Sequence, residues 1–252
     1  MLCGGSLGAA TEAVNLKRMS TVDNWPARAL RVLLPPRCLL CGAEGDGRDL
    51  CGACTTDLGL NRPACQRCAL PLAVAAPLCA ACINTVPPFT SAWAPFRYGH
   101  PLDLLEARFK FRADLAAGRV LADLLVERAR LDPPPMPDAI VPVPLHRTRL
   151  RARGYNQALE LARPLARAFG VPLRHDVLLR ARATDAQSAL DARARRRNVR
   201  GAFVLADGVL LPAHVALFDD VMTTGATLRE AALTLRRAGV ARVDAWVLAR
   251  AP

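Results

Sequence analysis

Asp219 and Asp220 stand side by side at the end of an apolar run, followed by Thr223, Thr224, Gly225, Ala226 and Thr227, in the string ALFDDVMTTGATL (216–228). Adjacent carboxylates accept hydrogen bonds from a pair of vicinal hydroxyls. A turn of small hydroxylated residues entering a helix offers free N–H groups, the positive end of the helix dipole and threonine hydroxyls, all of which suit a phosphate. Each charge-assisted hydrogen bond there contributes about 1.5–3 kcal/mol. Hydroxyls at one end and a phosphate at the other describe a ribose phosphate. The mononucleotide P-loop is excluded, because no lysine follows the glycine.

The cysteines carry a second chemistry. Cys3 stands alone, and the other eight form the C-x-x-C pairs Cys38/Cys41, Cys51/Cys54, Cys65/Cys68 and Cys79/Cys82. Two thiolates two residues apart grip one metal from a tight turn, and two such knuckles complete a tetrahedral four-sulfur site. Four knuckles predict two structural zinc ions. The first two knuckles paired, and the last two, close the shorter loops; a crossed arrangement is the alternative. A disulfide framework fits poorly without a secretion signal, and near-even spacing argues against a single redox C-x-x-C. A segment this short buries little core, so the metal supplies its stability.

Elements must position these groups. The segment NTVPPFTSAWAPFRYG (84–99) reads as a boundary that enters an edge strand. Residues 101–130 show apolar residues at helical spacing, with Gly118 as an interruption. DAIVPVP (138–144) reads as a short buried strand, and NQALELARPLARAFG (156–170) as a helix that Gly170 closes and that Pro164 kinks or shifts. HVALFDD (214–220) is a strand, GATLREAALTLRRAG (225–239) a helix and ARVDAWVLA (241–249) a closing strand. Strands alternating with helices predict an α/β fold: a parallel sheet covered on both faces, with ligands beyond the carboxyl ends of its strands. The expected organisation is a leader at 1–24, a zinc-ribbon module at 25–88 and the α/β domain at 89–252.

The chain has 252 residues, 52% of them hydrophobic, which excludes global disorder. Its formal charge is +12, almost all from arginine, since Lys17 and Lys110 are the only lysines. That balance fits either a solvated arginine surface or one suited to phosphates or nucleic acid. No basic n-region leads into an apolar h-region, Met19 offers a second start, and the uncharged stretch 69–96 is too proline-rich and polar for a membrane span, so a cytoplasmic protein is expected. His100, His175 and His214 stand outside any constellation, and a lone His146 reads as a surface residue.

FDDVMTTGATL resembles the phosphoribosyl-pyrophosphate (PRPP) signature of type I phosphoribosyltransferases. LHRTRLRARGYNQA (145–158) is similar to the basic R-G-[FY]-N-Q segment, and QSALDARARRRNVRGAF (187–203) to the Q-x-x-L…R-R-x-N segment, of the ComF family (ComFC/GntX type). That family couples an N-terminal zinc module to a phosphoribosyltransferase-like domain, and the resemblance runs from about Cys38 to Arg250. It implies a type I phosphoribosyltransferase-like sheet with Asp219 and Asp220 as the catalytic acids on the ribose, and residues 223–227 on the PRPP phosphate. It also implies a pyrophosphate loop at Pro144 and Leu145 with Arg151 and Arg153 just beyond. A hood would carry Gln187, Arg196 and Arg197, and Mg²⁺ would accompany PRPP. The acceptor is unspecified, and the family name implies a link to DNA uptake. A non-catalytic module that binds single-stranded DNA or a phosphoribosyl ligand is the alternative. Arg147, Arg149, Arg151 and Arg153 either contact anions or form a solvated run; Lys110 either meets phosphate or snorkels.

Overall fold

Three apolar runs become the centre of a parallel sheet in the computed structural model, which describes residues 35–182 and 199–252. They are β3 (Ala139–Pro142), β6 (His214–Met222) and β7 (Arg242–Arg250), joined at one edge by β1 (Ala92–Trp93) and β2 (Phe96–Arg97). The order is β1-β7-β6-β3, with β2 also paired to β7, and every one of these pairings is parallel. Pro95, which has no N–H to give, separates β1 from β2, so the expected edge strand arrives in two short pieces. Beyond β3, Leu173 forms a parallel bridge to Ile140.

Side chains alternate between the two faces of the sheet. Ile140, Ala216, Phe218, Trp246 and Leu248 pack with α3 (Leu102–Arg112), α4 (Leu115–Leu131) and α6 (Gln157–Phe169). Val141, Val215, Leu217, Val243, Ala245 and Val247 pack with α7 (Ala226–Arg237) and with the antiparallel hairpin of β4 (Leu178–Arg180) and β5 (Phe203–Leu205). Cover on both faces explains why β7 is buried along almost its whole length.

The long helical stretch breaks earlier than its glycine suggests. Ala113 adopts a left-handed φ of 53°, and Asp114 caps α4 by accepting from the N–H groups of Ala116 and Ala117. Gly118 lies inside α4 instead, where a Cβ would stand 2.5 Å from Phe109 Cε2. It is a close-approach glycine between α3 and α4, and the N-cap carboxylate makes the interruption. Pro164 lies within α6 without moving its start, which Asn156 caps, and Gly170 closes the helix at a φ of 65°.

At the amino ends of the strands, His214 proves to have partners. Its Nε2 lies 2.8 Å from Oδ2 of the fully buried Asp244, which also accepts from Ser91 Oγ at 2.9 Å and pairs with Arg242 at 2.9 Å. The pairing follows from strand register, with His214 opposite Arg242, so distance along the chain hides it.

The cysteine-rich segment includes α1 (Gly52–Thr56) and α2 (Ala80–Asn84). The described residues from Pro36 onward form one compact unit. Cys38, Leu50 and Leu58 join the cluster on the α3/α4/α6 face, whereas Cys65, Cys68, Cys79 and Cys82 join the cluster on the α7 face. The expected leader at 1–24 lies outside the described residues. Among the described residues, no helix is long and apolar enough to cross a membrane.

Candidate functional site

The carboxyl ends of β3 and β6 open into a pocket whose wall includes Lys110, Leu145, Arg149, Arg153, Arg180, Asp219, Asp220 and Thr227. A smaller hollow adjoins it at Thr223, Gly225, Ala226 and Thr227. Asp219 and Asp220 occupy late positions in β6, which continues to Met222. Their own carboxylates accept from the next amides, Asp220 N at 3.0 Å and Val221 N at 2.7 Å. Burial, then the neighbouring Asp220 charge, pushes Asp219 up to about 7.

Asp220 has a partner that the sequence does not announce. Lys110 Nζ, from α3, lies 2.9 Å from Asp220 Oδ2 and 2.9 Å from Oε1 of the buried Glu106, one turn back on the same helix. Burial would lower Lys110, but the Asp220 and Glu106 carboxylates outweigh it and raise it. Burial raises Glu106 against the pull of Lys110. Lys110 therefore belongs to the site and does not snorkel. The one available signal was its being a lone lysine in an arginine-rich domain.

The turn is built as its residue types demand. Gly225 adopts a φ of 70° at the N-cap of α7, and Thr224 Oγ1 accepts from Ala226 N at 3.4 Å. Thr223, Gly225, Ala226 and Thr227 line the hollow, whereas Thr224 turns back to hold the turn. The entry of α7 thus lines the hollow together with Thr223 and Thr227, an arrangement suited to an anion.

Pro144 and Leu145 follow β3 in the loop that leads to α5 (Arg147–Arg153). Val143 N donates to Phe218 O at 2.8 Å, and Asn156 Nδ2 donates to Val143 O at 3.0 Å, which ties the loop to both β6 and α6. On α5, Arg149 and Arg153 are one turn apart and both reach the pocket wall, whereas Arg151 is exposed on another side. Arg153 donates to Gln157 Oε1 at 2.7 Å, and its guanidinium lies 5.8 Å from the centre of the exposed Phe111 ring. Arg180, from β4, brings a further buried guanidinium. His146 caps α5, with Nδ1 2.8 Å from Thr148 Oγ1. Gln187, Arg196 and Arg197, and most of the arginine segment 193–200, lie outside the described residues.

The eight cysteines separate into two quartets, Cys38/Cys41/Cys51/Cys54 and Cys65/Cys68/Cys79/Cys82, with the sulfurs in each within 4.8 Å of one another. The expected pairing of consecutive knuckles is the observed one. Sulfur pairs 3.6 Å apart, Cys41 with Cys51 and Cys68 with Cys79, match the edge of a zinc–sulfur tetrahedron, about 3.8 Å for bonds of about 2.3 Å. Both quartets fit structural zinc, with four protein ligands and no position left open for chemistry.

The family model described as a double zinc ribbon domain matches residues 29–83. Competence protein F from Haemophilus influenzae is 38% identical over 176 residues, 68% of this chain and 77% of that protein. DNA utilization protein YhgH from Salmonella typhi is 39% identical over 176 residues, 67% of this chain and 76% of that one. Competence protein ComFC from Streptococcus pneumoniae is 30% identical over 157 residues, 62% and 67% of the two chains. Among solved structures, adenine phosphoribosyltransferase from Leishmania tarentolae overlaps 57% of this chain and 74% of its own, at a TM-score of 0.34 and 16% identity. Overlap at that level speaks to neither substrate nor mechanism.

Proposed function

The chain belongs to the competence protein F (ComF) family, and from that premise and the geometry of the pocket we propose that it binds PRPP with Mg²⁺ as a phosphoribosyltransferase-type protein linked to DNA uptake. The supporting observation is a pocket that sets a carboxylate pair under a wall of Lys110, Arg149, Arg153 and Arg180, with an adjoining hollow at the helix entry Thr223, Gly225, Ala226 and Thr227. In this reading the ribose hydroxyls donate to Asp219 and Asp220. The 5′-phosphate takes the amides and hydroxyls of residues 223–227. The cationic wall, with Pro144 and Leu145 beside it, takes the pyrophosphate, and Gln187, Arg196 and Arg197 act as the hood residues of this reading.

Among the described residues, the only clusters of three or more metal-ligating groups are the cysteine quartets. That suits a Mg²⁺ ion that arrives on pyrophosphate oxygens with waters retained, since Mg²⁺ rarely uses an all-protein cage. When bound, it would neutralise the leaving pyrophosphate. Asp219 and Asp220 lie where positive charge develops at the anomeric carbon. The division into a zinc module at 25–88 and an α/β domain at 89–252 is part of the same reading.

Calorimetric titration of PRPP with and without Mg²⁺ tests it. Binding should require Mg²⁺, vanish in Asp219→Asn/Asp220→Asn with the fold intact, and weaken in Thr227→Val by about ten- to hundred-fold. An unfolded double variant would make the acids structural, and a folded one that binds PRPP normally would put the site elsewhere. The second reading, a single-stranded DNA module, draws on the exposed basic residues of α5 and on the relatives' names. It predicts affinity that falls steeply with salt and is indifferent to the aspartate substitutions.

A further inference from the structure

One buried side chain links the second cysteine quartet to the end of β6, where the turn at 223–227 begins. Arg250, at the end of β7, is 7% exposed. Its Nε donates to Cys68 O at 3.3 Å, and its Nη1 donates to Met222 O at 3.1 Å and also to Ala251 O. Met222 is the last residue of β6, pairs with Arg250 across the sheet, and accepts from Ala251 N at 3.0 Å. Its Sδ stands 3.3 Å from where a Cβ on Gly225 would be, so its side chain packs under the turn. Cys68 O and the turn are thus joined through one guanidinium.

Charge makes the same connection. No carboxylate among the described residues forms an ion pair with Arg250, although a buried cation needs a compensating anion. Its Nε instead sits on the carbonyl of Cys68, a member of the second quartet. Four thiolates around one Zn²⁺ keep a net negative charge, so the loaded quartet remains a counter-ion for Arg250. Only a planar fork serves a knuckle carbonyl and a strand-end carbonyl together; a lysine ammonium offers one nitrogen in their place.

We propose that Arg250 is a positioning residue that couples the second zinc knuckle to the turn at 223–227, so that zinc occupancy there sets the phosphate affinity of the turn. The proposal rests on the reading of that turn as a phosphate seat. Coupling between two sites is reciprocal. Zinc in the second quartet strengthens ligand binding, and bound ligand must hold the zinc more tightly by the same factor.

The test uses wild-type, zinc-loaded full-length chain and follows zinc release to a chromophoric chelator, with and without PRPP and Mg²⁺. One of two release phases should slow about tenfold on adding PRPP, within the usual range for coupled sites. In Arg250→Met that slowing should disappear, and PRPP affinity should fall about tenfold while the chain still holds both zinc ions. Arg250→Lys should restore part of each effect. Wild type that binds PRPP with both release phases unchanged overturns the coupling and leaves the phosphate reading standing. Wild type that does not bind PRPP at all overturns both. If Arg250→Met does not fold, wild type and Arg250→Lys decide the question: a lysine variant with full coupling overturns the role of the fork.

Discussion

Two adjacent carboxylates with different surroundings set the chemistry of the pocket. Asp220 is held by Lys110 at 2.9 Å, while the half-buried Asp219 loses solvation beside the Asp220 charge and is raised from 3.8 to about 7. A folded-state value above the unfolded one means that the folded chain holds that proton more tightly, so ionising Asp219 costs stability. The cost begins as pH rises past 3.8 and is complete above about 7. Asp219→Asn removes it. The melting temperature of the variant should therefore gain on wild type as pH rises from about 4 to about 7 and hold that gain above it, read by thermal scans across that range. An unchanged difference across the window would mean that Asp219 is not held protonated. The acid pair was legible in the sequence because its members are neighbours. Lys110 and Glu106 were not, because their link to Asp220 depends on where α3 crosses the sheet ends.

At the scale of elements, the join between α3 and α4 shows how a local signal can be misread. A glycine in a helical pattern suggests a break, yet Asp114 supplies the capping carboxylate and Gly118 supplies room for Phe109. Gly118→Ala would set a Cβ 2.5 Å from Phe109 Cε2 and 2.7 Å from Cδ2. Overpacking of that kind costs about 1–3 kcal/mol, against a gain in helix propensity of about 1 kcal/mol. The expected net loss is about 1 kcal/mol, the middle of a range of about 0–2 kcal/mol, seen as a lower urea midpoint with unchanged slope. A neutral or stabilising result would make Gly118 a mere interruption, as its sequence context suggests. Other element-level signals read correctly, since Asn156 and Gly170 bound α6 through contacts made within a turn.

For the molecule as a whole, the zinc ribbons and the sheet share their hydrophobic clusters. The purified chain should hold two zinc ions, and stripping them with a chelator should lower the melting temperature of the whole in one transition. Metal analysis beside calorimetry checks this: one zinc per chain would make a quartet degenerate, and two separate transitions would make the ribbons an independent domain. What the sequence determined by itself was everything carried by short spacing. C-x-x-C pairs dictate two-sulfur knuckles that join into four-sulfur sites, the Thr-Thr-Gly-Ala-Thr string dictates a helix entry, and apolar runs dictate buried parallel strands. Only the tertiary structure decided which distant groups meet: Lys110 with Asp220, His214 with Asp244, Arg149 and Arg180 around one pocket, and Arg250 between Cys68 and Met222. The reason is physical. Backbone geometry and capping act within a few residues and leave a pattern in the chain, whereas a contact between charges depends on strand order and register, which the packing of the entire sheet sets.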